Sequence, residues 1–338
     1  MTSLPTSRIA DPRASAPLKW GILGPGWIAA AFTAALATHT DQKVVAVGSR
    51  SGKRAAQFAA KFGIDKAYSS YEQLVSDPQV QAVYVASPHS EHHAHTLLAI
   101  DAGKHVLVEK AFARNGTEAT EMVTAARTAN LTLMEAMWTR FLPRTDIVRQ
   151  LLEAETLGII HTFIADHGQA LTHVARLVEP QLAGGALLDL GIYPISYANF
   201  VFGVPRKVQA TGKLWESGVD AQVSAVLSDF PGNTSAQALV NTSMLTKTPT
   251  TATICGTKAR IELDGDFYAP GNVRLVYPNG TAISSPAPLV LGHQGLCHEA
   301  AHFADLVANG QTESGLLPLD ETVAIMGQLD AIRAQLAC

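Results

Sequence analysis

The sequence predicts an α/β protein. An N-terminal doubly wound parallel Rossmann sheet is followed by a C-terminal α+β domain with an open, largely antiparallel sheet. Three observations carry this. From Leu18 to about Met137, short apolar runs alternate with helical stretches, the pattern of a parallel sheet covered on both faces. After about residue 145 the runs lengthen and alternate apolar with polar residues, so each strand buries one face. Between the first strand and the first helix lies a glycine-rich turn, Gly24-Pro25-Gly26.

The elements of the first half follow in order. Strands are expected at Leu18–Leu23, Lys43–Val47, Ala82–Ala86, His105–Val108 and Thr132–Glu135. Helices are expected at Trp27–Ala37, Lys53–Phe62 with a stop at Gly63, His92–Ala102 with a stop at Gly103, and Thr117–Ala129. Right-handed crossovers between parallel strands then give the doubly wound arrangement. In the second half Thr145–Glu153 reads as helix. Strands are expected at Ile160–Gln169, Lys207–Trp215, Ala221–Phe230, Ser235–Leu245, Thr250–Gly256, Ala259–Leu263 and Asn272–Tyr277. Helices are expected at Ile192–Val201, Glu299–Ala308 and Asp320–Gln335. The expected domains are 18–141 for dinucleotide binding and 142–338 for substrate binding, the last helices packing back on the first domain. Residues 1–17, polar and rich in Pro and Ser, read as a loose tail.

Bulk properties narrow the function. The chain has 338 residues, 47% hydrophobic and 16% charged, with a net charge of −4, a globular composition that attracts no polyanion. Nucleic acid is therefore not an expected partner. No secretory signal is visible, and the longest apolar stretch, around Trp27–Ala37, is too short to span a bilayer. Cys255, Cys297 and Cys338 are far apart and lack metal or disulfide spacing, so reduced thiols in a cytoplasmic protein are expected. The open sheet face of the second domain is an expected homo-oligomer surface, dimer or tetramer.

The glycine-rich turn gives the first chemistry. Gly24, Gly26 and Ala29 fit G-x-G-x-x-G/A after a strand and before a helix. The first glycine permits the turn, and the second lets a pyrophosphate approach the backbone. The helix N-terminus, with Trp27 and Ile28, faces the phosphates. An NAD site expects an acid at the end of the second strand, but here the chain reads Val47-Gly48-Ser49-Arg50-Ser51. Ser49 can bond a 2′-phosphate, Arg50 can pair with it, and Arg54 adds positive charge, so the expected cofactor is NADP(H). The competing reading is a solvated basic loop in which Ser51 caps the next helix. The Gly48–Arg54 segment lacks the spacing of a P-loop.

Three further segments carry a family resemblance: Ser87-Pro88-His89-Ser90-Glu91-His92, the Glu109-Lys110-Ala111 end of the fourth strand, and Gly184-Gly185-Ala186-Leu187-Leu188-Asp189-Leu190-Gly191-Ile192-Tyr193-Pro194. With the glycine-rich turn they resemble the glucose–fructose oxidoreductase / inositol dehydrogenase / MocA family over roughly residues 18–336. Met134–Phe141 and the DLGIYP segment are similar to the branch holding dimeric dihydrodiol dehydrogenase, NADP-dependent D-xylose dehydrogenase and glucose–fructose oxidoreductase. The resemblance implies that Ser87, Pro88, His89 and His92 line the cofactor pocket, with Glu109 and Lys110 at the nicotinamide. It implies Trp138 and Arg140 bordering nicotinamide and substrate, and Asp189 and Tyr193 facing the substrate. The family usually has Pro after the lysine. Ala111 removes that φ constraint and would leave Lys110 less tightly held.

The implied activity is hydride transfer between the cofactor and a sugar, polyol, sugar-derived dicarbonyl or vicinal diol. Tyr193 would act as acid/base and Lys110 would assist it. Free tyrosine, with a pKa of about 10, is a poor base at neutral pH, and nearby positive charge improves it. Gly191 and Pro194 bracket Tyr193 and predict a side chain near a helix start, where the helix dipole would add to that effect. Asp189 has a second reading as a cap for that helix. His89, His92, His93 and His95 suggest a metal, but they sit where the cofactor belongs, so no metal is expected. Two alternatives remain: a sugar–sugar oxidoreductase with a tightly bound cofactor, and a non-catalytic NADP-binding regulator on the same fold.

Overall fold

A computed structural model describes residues 2–336; Cys338 lies outside them. The chain forms two compact units. The first comprises Ala10–Trp138 and Gly292–Val323. The second comprises the N-terminal segment through Ile9, Thr139–Leu291, and the chain from Ala324 onward.

The first unit holds β1 (Lys19–Leu23), α1 (Trp27–His39), β2 (Lys43–Gly48), α2 (Gly52–Phe62), β3 (Lys66–Tyr68), α3 (Tyr71–Val75), β4 (Ala82–Val85), α4 (His92–Asp101), β5 (His105–Glu109), α5 (Gly116–Ala129) and β6 (Leu133–Ala136). The strands form one parallel sheet in the order β3-β2-β1-β4-β5-β6, the doubly wound Rossmann order. Of the central strands, β4 is buried throughout and β1 and β5 are buried after their first residue, which is why they read as continuous apolar runs. An aromatic core packs against them: Phe32 stacks on Tyr84 at 3.9 Å, and Trp20 meets Phe32 edge-on at 5.4 Å. The sequence pattern missed β3 and α3. Lys66–Tyr68 is a three-residue edge strand without an apolar run, held instead by Lys66 and Tyr68 on the buried Asp77.

The second unit contains α6 (Pro143–Glu153), β7 (Ile160–Gly168), α7 (Ala175–Val178), α8 (Ile192–Phe202), β8 (Lys207–Leu214), β9 (Asp220–Phe230), β10 (Asn233–Ser243), β11 (Ala252–Gly256), β12 (Arg260–Leu263), β13 (Arg274–Val276) and β14 (Ala282–Ser284). Its sheet runs β14-β13-β12-β11-β7-β10-β9-β8 and is antiparallel except where β7 meets β10. One face is covered by α8. On the other, Ile164 and Leu239 pair across β7 and β10 and remain 50% and 40% exposed. β14 was missed because it is only three residues long.

Two helices close the chain. α9 (Leu296–Ala308) packs on α1 in the first unit, and Phe303 meets Trp20 at 5.2 Å. α10 (Leu319–Leu336) begins in the first unit and ends in the second, where Gln328 exchanges amide hydrogen bonds with Asn199 of α8. No helix among the described residues is long and apolar enough to cross a membrane.

The N-terminal segment differs from the loose tail expected. Arg8 grips the buried Asp146 of α6 through its backbone N–H and guanidinium and reaches Glu153, while Gln150 donates to the Thr6 carbonyl. Farther on, the backbone N–H of Ala16 donates to Asp305. Composition marked these residues as polar but could not show that their polar groups find fixed partners.

Candidate active site

In the first unit the site is built from strand ends. Gly24 follows β1 with φ +91°, and a Cβ there would lie 2.9 Å from the Ala86 carbonyl oxygen, so the β1 turn requires glycine. Gly26 starts α1 without a capping side chain, no acid lies in the first turn, and a Cβ there would meet nothing within 4 Å. The start of α1 thus has no side-chain cap and open space beside Gly26, which fits a dinucleotide pyrophosphate. Trp27 is 62% exposed and meets His293 edge-on, and His293 stacks on the buried Trp138 at 5.5 Å. Ile28 lies beside Trp27 in the same helical turn.

At the end of β2, Ser49 is buried and its hydroxyl accepts from the Ser51 N–H at 3.2 Å. Arg50 and Arg54 are exposed. Ser51 does cap α2, accepting from the Arg54 N–H at 3.4 Å. The cap occupies Ser51 alone and leaves the Arg50 and Arg54 side chains on the surface.

Around Lys110 the backbone is held from several sides. The Lys110 N–H donates to Glu109 at 3.2 Å, and the Lys110 carbonyl meets the His89 ring at 3.1 Å. The Ala111 carbonyl meets the His92 ring at 2.8 Å, and the Phe112 N–H donates to Glu135 at 3.2 Å. The Lys110–Ala111 peptide bond is cis. The loosening expected from Ala111 in place of proline is thus not found, because side-chain hydrogen bonds fix the loop. Glu109 also accepts from the Tyr84 hydroxyl.

His92 lies between two carbonyls, with its other nitrogen 2.9 Å from Ser87 O. Burial pushes its pKa down to about 4, although both carbonyls favour the charged ring. At physiological pH the ring is neutral and carries one N–H, so it donates to one of the two carbonyls and only contacts the other. Ser87 also contacts His95 at 2.9 Å, and Pro88 leads into the turn carrying His89. Among the described residues no group of three His, Cys, Asp or Glu side chains has metal-binding geometry.

In the second unit Tyr193 and Asp189 lie on one helical run. A π-helical turn, Leu187–Gly191, leads directly into α8, and the run starts at Ala186. Tyr193 is therefore well past the first turn, and the helix-start dipole invoked from the sequence does not reach it. Nor does Asp189 cap the helix: it lies inside the π turn and pairs with Arg176 at 3.1 Å. The sequence places the helix start at Ile192, and the structure begins the helical run at Ala186. The break before it is confined to Gly184 and Gly185, and π turns of this kind concentrate at functional sites.

The cap comes from elsewhere. Asp220 at the start of β9 accepts from the Leu187 N–H at 2.5 Å. Burial pushes its carboxyl up to about 6, against the Leu187 hydrogen bond and the positive charge of Arg333.

Tyr193 packs among rings. His167 lies 5.3 Å away and Tyr268 4.6 Å away, centroid to centroid. His167 is buried, with one nitrogen 3.1 Å from Leu190 O and the other 3.0 Å from the Gln169 amide, which also reaches the Tyr268 hydroxyl at 3.4 Å. Burial, with Asp266 and Asp189 adding to it, pushes Tyr268 up to about 12, so it stays a neutral phenol. Arg140 is turned into the unit, donating to the Ser196 carbonyl of α8 at 3.0 Å.

Sequence reasoning missed His167, Gln169, Tyr268, Arg176 and Asp220. For His167 a signal existed: on β7 the buried residues Phe163 and Ala165 alternate toward it, placing a histidine on the covered face. The others come from separate segments and share no local pattern.

Residues 18–137 match the model of an oxidoreductase family with an NAD-binding Rossmann fold, and 146–262 match the GFO/IDH/MocA C-terminal domain. The trans-1,2-dihydrobenzene-1,2-diol dehydrogenase of Macaca fascicularis is 38% identical over 323 residues, covering 94% of this chain and 96% of that one. The Homo sapiens enzyme of that name is 37% identical with the same coverage. Among solved structures, KijD10, a 3-ketoreductase from Actinomadura kijaniata in complex with NADP and TDP-benzene, superposes with a TM-score of 0.83. It is 25% identical and covers 95% of this chain and 98% of that one. Levoglucosan dehydrogenase in complex with NADH and levoglucosan superposes with a TM-score of 0.85 at 21% identity, covering 95% and 97%.

Proposed function

The chain belongs to the Gfo/Idh/MocA oxidoreductase family, and on that footing we propose that it transfers a hydride between NADP(H) and a CH–OH or carbonyl group of a sugar, polyol, sugar-derived dicarbonyl or vicinal diol. The observation that carries this reading is the way Lys110 is held. Four side chains, Glu109, His89, His92 and Glu135, fix the backbone from residue 110 to 112. A surface lysine needs no such support, whereas a charge that stabilises a transition state must be preorganised.

Bound nicotinamide supplies the hydride chemistry. The chain's own residues do the rest. The N-terminal turn of α1 binds the pyrophosphate, and Lys110 offers its ammonium to the reacting oxygen. Tyr193 moves the proton, its ring orientation set by His167 and Tyr268. Asp189, paired with Arg176, bonds substrate hydroxyls.

NADP is favoured over NAD because β2 ends in Ser49 and Arg50 without an acid. The curated relatives named for trans-dihydrodiol oxidation, and the ketoreductase solved with NADP, support the same substrate and cofactor classes. Ile164 and Leu239 on the open sheet face support homo-oligomer formation.

The test is an NADP+ reduction screen over aldoses, polyols and trans-dihydrodiols, with an NADPH screen over dicarbonyls. Turnover of one class is expected. Cofactor binding with no turnover anywhere would leave the non-catalytic regulator standing. Arg50→Ala should weaken NADP about ten- to a hundredfold and leave NAD binding near its starting value, since a hydrogen bond to a charged group is worth about 1.5–3 kcal/mol. Equal losses for both cofactors would overturn the preference.

A further inference from the structure

Glu299 is a buried carboxyl that the catalytic reading does not use. It lies in the first turn of α9, wholly shielded, and neither carboxyl oxygen meets a donor. A bare carboxylate in such a place costs several kcal/mol, so the group neutralises instead. Its charged neighbours reinforce this: Glu109 at the end of β5 and Glu135 in β6 both act on it. On its own helix the neighbouring titratable groups are Cys297, His298 and, one turn on, His302, whose ring meets the Ser314 hydroxyl at 2.8 Å. From the elements packed on that helix, Asp11 acts on Cys297 and His298, and His39 of α1 acts on His298.

The three carboxyls differ in what they accept. Glu109 takes the Tyr84 hydroxyl and the Lys110 N–H. Glu135 takes the Phe112 N–H and, at 3.4 Å, the Thr322 hydroxyl. Hydrogen bonds to a carboxylate favour its charged form, and Glu299 has none. A proton shared among three buried carboxyls therefore settles on the one without donors.

We infer that Glu299 is a positioning residue: it holds the proton of a three-carboxyl cluster and, by staying neutral, keeps Glu109 and Glu135 ionised as the acceptors that pin the Lys110–Phe112 loop. The effect on turnover rests on the catalytic reading of Lys110, whereas the placement of the proton does not. Burial, with Glu109 and Glu135 adding to it, holds the Glu299 carboxyl well above the ordinary range.

Glu299→Gln fixes the neutral form with the same shape. Infrared difference spectra of the purified full chain at pH 7 should show a carboxylic-acid C=O band in the wild type that the variant lacks. Thermal stability gives a second readout. The folded wild type keeps a proton that the unfolded chain releases above about pH 4, so its stability falls with rising pH relative to the variant. Third, the alkaline limb of wild-type kcat, where Glu299 ionises, should be absent from the variant. No acid band together with a pH-independent stability difference would overturn the proton's placement. Superimposable pH–kcat profiles would overturn the positioning role. Band and slope without turnover on any substrate would uphold the placement while the catalytic reading of Lys110 fails. Should the variant not fold, titrating the acid band of wild-type protein carrying 13C-glutamate decides the same point.

Discussion

The loop at Lys110 and the helix at Tyr193 are fixed by opposite means. The lysine loop is held by polar contacts: carboxylates take its N–H groups and histidine rings meet its carbonyls. The tyrosine is held by packing, its ring against His167 and Tyr268, on a helix whose start is capped by one buried acid. The difference follows from the chemistry each residue is asked to do. A charge offered to the reacting oxygen needs a fixed location and tolerates a polar surround. A proton-transferring phenol needs a fixed orientation and a dry flank. Substitutions at the first should therefore act on charge, and substitutions at the second on proton transfer and its pH dependence.

The largest effect is expected at Lys110. Lys110→Met keeps length and removes charge. It should leave folding and NADP affinity near wild type and lower kcat by two or more orders of magnitude, the range for losing a major electrostatic group. Steady-state kinetics beside fluorescence titration of the cofactor reads both. Near-normal turnover would erase the contrast, because the pinned loop would then carry only a surface charge. Next comes Tyr193→Phe, which keeps the ring packing and removes the hydroxyl. Turnover should drop about a hundredfold with circular dichroism and melting unchanged, and the rise of the oxidative rate with pH should flatten. A variant that keeps both rate and pH dependence would pass the proton role to Asp189, His167 or a water.

How much of this was legible in the sequence follows the same division. The cofactor cradle was, because Gly24 and Gly26 are close in sequence and their roles are set by a local turn. Five of the six Rossmann strands were, because burial on both faces writes a continuous apolar run. β3 was not: its three residues are held by Asp77 rather than by apolar burial. In the second unit the alternating strands were legible, but the start of the Tyr193 helix was not. Gly184-Gly185 signals a break, and only Asp220, far along the chain at the start of β9, turns Ala186–Gly191 into a helix. Glu299 was hidden for a related reason. A glutamate early in a helix reads as an ordinary N-terminal charge, and its burial depends on packing that no window of sequence contains.

The smallest effect on turnover, and the one that probes the packed side of the contrast most directly, is expected at Asp220. Its Oδ2 caps the π turn through Leu187, and Gly185 must be glycine beside it, since a Cβ there would fall 2.4 Å from Oδ1. Asn keeps an oxygen acceptor in nearly the same place, so Asp220→Asn should hold the helix and keep kcat at pH 7 within about threefold, the cost of a weakened hydrogen bond of about 0.5–1 kcal/mol. What changes is the pH dependence of stability. Burial raises the folded carboxyl to about 6, above its unfolded value, so the folded state binds the extra proton. Stability therefore falls as pH rises from about 4 to about 6 and is level on either side. At about 1.4 kcal/mol per pH unit the loss is on the order of 3 kcal/mol. Asparagine cannot titrate, so this slope should vanish. Urea unfolding followed from pH 4 to pH 7 should show the variant gaining on the wild type across that window and holding its lead above it. A lead that is constant with pH would mean that Asp220 titrates alike in folded and unfolded chains. Its charge would then be paired, most directly with Arg333, and the helix under Tyr193 would be held by an ion pair like those on the surface rather than by a cap in a dry wall.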